Sequence, residues 1–552
     1  MKQFQTAIIA VFIISLLPAA LLSQPLGELY DVGDTYTDYQ HDGSAGRMIA
    51  LENNGTVHFS WTGYLYPMEV LYNRYTTSGG VVFPYGVDVS DLVLSRSSNI
   101  AIFTTGRTIH VYQGEFLGQS ICAVAIENSP MSANYLEYFP PADESLSNPI
   151  LVVDSRRWIH ILAFTERFNW SYGLYYNRST DSGFSWLSDW VFVDSVRAIA
   201  ADIAASSQGE VAIAWAHNLS AAFTNPLEKL NNDLYLVRSN NGSDWDFTSP
   251  VNVTNFSSGA HPKSDSLRLY DAFSMTYGSG NQLHIAYTCT GYWQETGHSM
   301  TCSGSEIYHY SDVSGVHYIT GALASGSFPN VDRRTFDRPV IGYDAADADF
   351  FCVWNQYSDS ADTSSQGVLN GEIYGAYFNP QYNQWSASIN LTQTPTPGAE
   401  PGGCLSESFP SIALAVNDTL HISFLLDCDP AASGNFMSEI MYLKIPAEEF
   451  KAAVGVVNPP GQVLPRCSAL LINYPNPCNS STVISFALPQ DSDVELNIYD
   501  LKGRFIEEIF RGELVSGSHN FAWNAENISS GIYFLRLSYN QQTISRKIVI
   551  LK

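Results

Sequence analysis

The chain has 552 residues, enough for more than one domain. Aromatic residues make up 13% and charged residues only 15%, with 39 Gly and 26 Pro spread throughout; this favours an all-β protein with many turns. The net charge of −27 argues against nucleic acid or anionic lipid as a main partner and suits solubility outside the cell.

Residues 1–23 read as a secretory signal peptide: Lys2, an apolar run from Ala7 to Leu22, then polar Ser23-Gln24. The run is short for a spanning helix, and no other stretch is long and apolar enough, so no transmembrane segment is expected after cleavage.

From about residue 28 to 446 one pattern recurs: an apolar strand, a short turn, then a second apolar strand often carrying an aromatic. Seven second strands follow it: Val57–Trp61, Ile109–Tyr112, Ile159–Leu162, Val211–Trp215, Leu283–Tyr287, Phe351–Trp354 and Leu420–Phe424. Their spacing, roughly 50 residues early and 70 later, is that of a propeller or solenoid. The clearest unit is Ile150–Ser195, four short strands in about 45 residues, the length of one propeller blade. The second unit is weakest, because its third strand has no clear signature. The seventh lacks a fourth strand, and Leu26–Tyr39 could supply it, closing the ring and leaving no inner edge. Seven blades are expected over residues 24–446, with six as the alternative if the second unit is an insertion.

The turn in the clearest unit is Ser179-Thr180-Asp181-Ser182-Gly183-Phe184-Ser185-Trp186. Ser and Asp side chains bond backbone N–H groups in such turns, Gly183 suits a positive φ, and the Trp186 ring can fold over the turn. The pattern resembles the Asp box of sialidase-like propellers. That resemblance implies a structural turn on the outer rim made by Ser179, Asp181, Gly183 and Trp186, with no catalytic role.

Several charged or polar sets invite a chemical reading. His58, His110, His160, His284 and His421 recur in second strands, but equivalent positions in different blades lie far apart around a ring, so repetition without function is favoured over metal binding. Asp344, Asp347 and Asp349 alternate and could contact Ca²⁺, yet they lack the Gly and closing Glu of a known loop; a solvated turn is favoured and no cofactor is expected. The eight Cys suit an oxidising compartment, and spacing favours the pairs Cys289–Cys302, Cys404–Cys428 and Cys467–Cys478, with Cys122 and Cys352 as buried thiols.

Residues 447–466, with Pro459-Pro460-Gly461, read as a linker. Residues 467–552 read as a small domain of six or seven short strands, which suggests an Ig-like sandwich. Its residues Tyr474-Pro475-Asn476-Pro477 with Asn479, Tyr499-Asp500 with Gly503, Gly517 with Trp523, Gly531 with Tyr533, and the Lys547–Lys552 ending resemble the type A C-terminal sorting domain of the type IX (Por) secretion system. Cys478 departs from the Phe usual after the Pro-Asn-Pro. The resemblance implies a bacterial protein exported through the periplasm and across the outer membrane by the type IX machinery. It also implies removal of the domain, with the cargo attached to the surface or released.

No catalytic set stands out. A sialidase-like reading needs three Arg around a carboxylate, and Arg47, Arg156, Arg268, Arg333 and Arg338 are candidates, each with an ordinary surface alternative. A non-catalytic binding or adhesion protein for glycan or protein is therefore expected. The inserts Ala216–Asn232, Thr288–Ser305 and Gln356–Gly371 would carry specificity, with Tyr292 and Trp293 suited to sugar stacking. The alternative is a sialidase-like glycoside hydrolase. Arginines and carboxylates gathered at one mouth would favour it; an apolar, aromatic mouth would favour binding alone.

Overall fold

The computed structural model describes residues 24–552 except 38–39, 41–45, 66–67, 78–79, 82–85, 91, 93, 142–144, 168–170, 221–228, 257–266, 296–297, 323–333, 358–360, 381–382, 432–435, 455–470, 475–477, 480, 489–491, 516 and 540–541. The signal segment 1–23 lies outside them. Among the described residues no helix is long and apolar enough to cross a membrane.

The chain is nearly all β. Between residues 28 and 446 consecutive strands pair antiparallel into short meanders. One runs Ser147–Val153, Ile159–Arg167, Ser171–Ser179, Val191–Val196. These strands form because Val, Ile, Leu, Tyr and Phe at alternate positions pack on the sheets to either side. Two meanders are joined into one eight-stranded sheet through the single pair Asn232–Leu269. The third strand missing from the second unit's sequence signature is Gln119–Glu127, which pairs with Thr108–Phe116.

The opening strands of the meanders are Ile49–Leu51, Ser95–Ile102, Ser147–Val153, Ala201–Ala205, Leu267–Tyr277, Phe336–Tyr343 and Ser406–Ile412. Each packs against the next in this order, and the last packs against the first. The circle is also closed by hydrogen bonds: Glu28–Thr35 pairs antiparallel with Ser438–Pro446, with Tyr30 opposite Tyr442 and Thr35 opposite Ser438. An edge that would otherwise be exposed is thereby filled from the other end of the chain.

Ala447–Val454, expected to belong to a linker, is instead a helix seated under the ring. The Phe450 ring meets the Phe351 ring edge-on at 5.4 Å and packs on Gly375, because a linker that carries a buried aromatic gains apolar burial by folding back.

Residues 471–550 form two further sheets, Leu471–Tyr474/Ser481–Leu488/Gly517–Asn524 and Phe505–Leu514/Ser492–Asp500/Gly531–Tyr539/Gln542–Ile550. Ile484, Leu496, Ile498, Leu535, Leu537, Ile548 and Trp523 fill a core of their own. None of these strands pairs with a strand of the ring among the described residues.

The sorting-domain match and a charged mouth

The amino-terminal ends of five of the seven opening strands share a distortion. Register shifts fall between Arg96 and Asn99, Ser147 and Ile150, Leu269 and Phe273, Asp337 and Val340, and Ser408 and Ser411. In four of them a non-glycine residue takes positive φ: Ser97, Asn148, Arg338 and Phe409. Repeated bulges bend the strands at one end of the ring, where they can re-aim side chains.

At that mouth charged groups gather on three successive meanders, the fourth to the sixth. Asp271, partly exposed in an otherwise buried strand, has its carboxyl pushed up to about 6 by burial and by the charge of Asp337, against the pull of Arg338, Arg334 and Lys229. The Arg334 guanidinium lies 4.5 Å over the Tyr270 ring, and that of Arg338 lies 4.4 Å over Phe409. Arg268 is buried and donates from Nε to Asn231 Oδ1 at 2.7 Å. Asp233 beside it accepts from Thr254 Oγ1 at 2.9 Å and from the Phe256 amide at 3.0 Å. Glu306 accepts the Tyr308 hydroxyl; that phenol is held well above its ordinary value by burial, so it is not poised to ionise as a nucleophile.

The five candidate arginines separate. Arg268 and Arg338 are at this mouth. Arg47 is buried inside the ring against Asp202, and Arg156 is bound to Asp154 Oδ2 through Nε at 2.8 Å in a turn. Arg333 lies outside the described residues. Sequence reading missed Asp271 and Arg334. The only signal was a lone acid in the apolar run Leu267–Tyr277 and a second Arg three residues before Asp337.

The repeated histidines do not converge. His58 Nε2 meets Glu52 at 2.7 Å, His110 Nδ1 meets Ser60 at 3.1 Å, His160 and His421 bond Tyr176 and Tyr442, and His284 bonds His309. Each bonds within or next to its own sheet, and His58 Nδ1, His110 Nε2 and His284 Nε2 are buried without a hydrogen-bond partner.

Asp347 and Asp349, suggested for Ca²⁺, are met instead by an ammonium: Lys451 Nζ lies 2.7 and 2.8 Å from them. Among the described residues no group of three or more His, Cys, Asp or Glu is placed to hold a metal.

The expected disulfides are not formed. Cys289, Cys404, Cys428 and Cys478 are free thiols, as are Cys122 and Cys352; the side chains of Cys302 and Cys467 lie outside the described set. Cys289 points into the core and is paired in register with Glu306, which leaves it no cysteine opposite. Cys404 and Cys428 are brought together by a backbone bond of 3.2 Å, but the Cys404 thiol turns to the carbonyl of Ala399. Cys478 is buried in the carboxyl-terminal core. The insert Thr288–Ser305 is no loop: Leu283–Glu295 and His298–Ser311 run on as one long hairpin, and the side chains of Tyr292 and Trp293 lie outside the described set.

The Asp181 turn lies between the third and fourth strands of its meander. Gly183 N donates to Ser179 Oγ and Ser185 N to Asp181 Oδ1, both at 2.8 Å, with Gly183 at φ +98°. Trp186 packs on the neighbouring sheet's core.

In the last domain, Asp500 Oδ1 accepts the amides of Lys502 and Arg504 at 2.9 Å, and Gly503 turns the chain at φ +76°. Tyr499 lies under Arg536, Trp523 Nε1 donates to Glu507 at 2.9 Å, and the Tyr533 hydroxyl donates to Ser529 O at 3.0 Å. Gly531 pairs with Ile550; Asn479 and Lys547 are exposed. Tyr474 and Gly517 are in strands, and Pro475, Asn476 and Pro477 lie outside the described residues.

No curated protein matches the chain by sequence. Solved structures that resemble it include the polysaccharide lyase Uly1 (10% identity, TM-score 0.40, 76% of this chain and 98% of that one). A protein of unknown function from Dyadobacter fermentans is also similar (11%, TM-score 0.37, 75% and 99%), as is a PL25 ulvan lyase (10%, TM-score 0.32, 88% and 96%). At these identities and scores no substrate or activity transfers to this chain. Residues 473–551 match the family model of the secretion system C-terminal sorting domain. The carboxyl-terminal domain is thus a type IX sorting domain, which engages the type IX machinery and marks the protein for export to the cell surface or extracellular space.

Proposed function

We propose that residues 24–454 form a seven-bladed β-propeller exported by an Ig-like sorting sandwich, and that its charged mouth binds an acidic glycan. The closed circle of opening strands supports the blade count, since the eight-stranded sheet is joined by one residue pair only. The rim turn of Ser179, Asp181, Gly183 and Trp186 is structural in this reading.

The observation that carries the ligand class is the gathering of Arg334 and Arg338 with Asp271 and Asp337 on adjacent meanders. Guanidinium groups match carboxylate and sulfate geometry, and the nearby aspartates can accept from sugar hydroxyls. Buried arginine charge at a concave mouth selects an anion even on a chain of net charge −27.

A second reading, cleavage of the bound glycan, is favoured by Asp271 alone. A carboxyl near 6 is protonated often enough to act as a general acid at mildly acidic pH.

A glycan array bearing uronates, sialosides and neutral sugars tests both. Acidic glycans should bind, and the double variant R334A/R338A should weaken them at least ~10-fold, the loss of one or two charge-assisted contacts. D271N should keep binding and abolish any product release. Preference for neutral glycans, or binding unchanged in the double variant, would sink the reading.

A further inference from the structure

The turns that lead from first to second strands in the first four meanders share one hydrogen-bond pattern. An amide donates to the carbonyl four residues on: Glu52 to Thr56, Phe103 to Arg107, Asp154 to Trp158 and Ser206 to Glu210. The fourth residue's amide then returns to the first carbonyl, and that residue has positive φ, from +68° at Arg157 to +90° at Gly55. The turns can therefore be matched residue by residue. They lie at the carboxyl ends of the opening strands, opposite the charged mouth.

In the third and fourth meanders a guanidinium uses this frame. Arg156 donates from Nε to Asp154 Oδ2 at 2.8 Å, from Nη2 to the Gly209 carbonyl at 3.2 Å and from Nη1 to the Asn241 carbonyl at 2.7 Å. Its Cζ lies 4.0 Å over the Trp158 ring. One planar cation thus ties a carboxylate on one meander to carbonyls on the next.

The first and second meanders repeat the frame without the cation. Glu52 stands where Asp154 does and meets the matching histidine: His58 Nε2 lies 2.7 Å from Glu52, as His160 Nε2 lies 3.4 Å from Asp154. Gly106 stands where Gly209 does, so close to Glu52 that a Cβ on it would lie 3.1 Å from Glu52 Oε2. Asn54 and Thr56, however, replace Arg156 and Trp158. The short Asn54 amide reaches Glu52 at 2.8 Å and goes no further. The space that two large side chains fill beside Asp154 is here a cavity of about 320 Å³, lined by Glu52, Asn54, Phe103, Thr105 and Gly106 with their neighbours. That volume is at the lower end of the range for small-molecule sites. Glu52 is only 7% exposed, and among the described residues no Lys or Arg meets it. A carboxylate held this far from water favours a cation that can bond it directly.

We propose that this cavity binds a small guanidinium compound, which takes the place that Arg156 has in the third meander and donates to Glu52 and to the Gly106 carbonyl. The site lies at the other end of the ring from the mouth and is independent of the mouth's ligand.

The test is calorimetric titration of the full chain with butylguanidinium in about 0.15 M salt, where diffuse attraction to a chain of net charge −27 is screened. Binding should be saturable, and E52Q should weaken it at least ~10-fold, the loss of one charge-assisted contact. N54R supplies the chain's own guanidinium, as Arg156 does, and should abolish binding while leaving Glu52 in place. The uncharged isostere butylurea should bind at least ~10-fold more weakly. No saturable binding, binding unchanged in either variant, or equal binding of butylurea would overturn the site.

Discussion

Arg47 and Asp202 are 155 positions apart in sequence, and Arg47 Nη2 lies 2.8 Å from Asp202 Oδ1 inside the ring. Arg47 also donates to the carbonyls of Leu151 and Ile203 at 2.6 and 2.7 Å, and its amide meets Asn99 Oδ1 at 3.2 Å. The other carboxylate oxygen of Asp202 accepts the Met275 amide at 2.8 Å. One ion pair therefore links five meanders around the axis. Burial by itself raises the Asp202 carboxyl, and Arg47 opposes that.

Removing one partner leaves a buried charge alone. R47M should lower unfolding free energy by about 3–5 kcal/mol in a urea titration. The double variant R47M/D202N should recover part of that loss, because no uncompensated charge remains. Equal stability of R47M and wild type would show that the pair is not what ties the ring.

His284, His309 and His317 stand in a row, with ring centroids 5.1 and 5.8 Å apart, packed on Phe350, Phe378 and Trp385. Burial first, and neighbouring imidazoles for His284 and His309, push all three down: His284 to about 3, His317 to about 4, and His309 well below its ordinary value. Unfolded histidines take up protons near pH 6.5, whereas the folded ones stay neutral. Their contribution is complete above pH 6.5 and is lost as pH falls towards 4, by about 2 kcal/mol per histidine at pH 5. Urea midpoints measured from pH 7 to 5 should fall, and the variant H309F should flatten that slope. A wild-type slope retained in H309F would place the acid sensitivity elsewhere.

Glu372 and Glu407 carry the opposite sign. Thr392 Oγ1 lies 2.8 Å from Glu372 and 3.4 Å from Glu407, so its single proton can serve only one carboxylate. Burial raises both carboxyls, and for Glu407 the charge of Glu372 adds to it. A raised carboxyl stabilises the fold fully below its unfolded pKa of about 4.3, and that stability is lost as pH rises through the folded value. E407Q, whose amide can donate to Glu372, should raise the melting temperature at pH 8 and leave it unchanged at pH 4. A lower melting temperature at pH 8 would mean that the charged pair is stabilising.

Lys451 joins the helix Ala447–Val454 to Asp347 and Asp349, with Asp349 buried. K451M should cost about 1–3 kcal/mol, less than the axial pair because Asp347 is half exposed. Added Ca²⁺ should not restore it, since the aspartates lack a closing set of oxygen ligands. Recovery with Ca²⁺ would revive the metal reading.

Strand periodicity, the recurrence of the unit and the sorting motif were legible in the sequence because each is local. A side chain's face follows from alternation along one strand, and a turn such as Asp500-Leu501-Lys502-Gly503-Arg504 closes its bonds within five residues. The strand missing from the seventh unit was legible for the same reason: the count was one short, and Glu28–Thr35 fills it. What alternation does not specify is which distant residue a side chain meets. Arg47 and Arg338 look alike in sequence, yet one is paired inside the ring and the other stands at the mouth. Strand register sets Cys289 opposite Glu306, the Cys404 thiol turns away from its neighbour Cys428 to the Ala399 carbonyl, and Lys451 takes the place offered to a cation. The sequence by itself determined a repeated all-β chain addressed for export. Only the tertiary structure decided where charge gathers, because those contacts join distant segments whose free energy depends on burial and pairing rather than on local pattern.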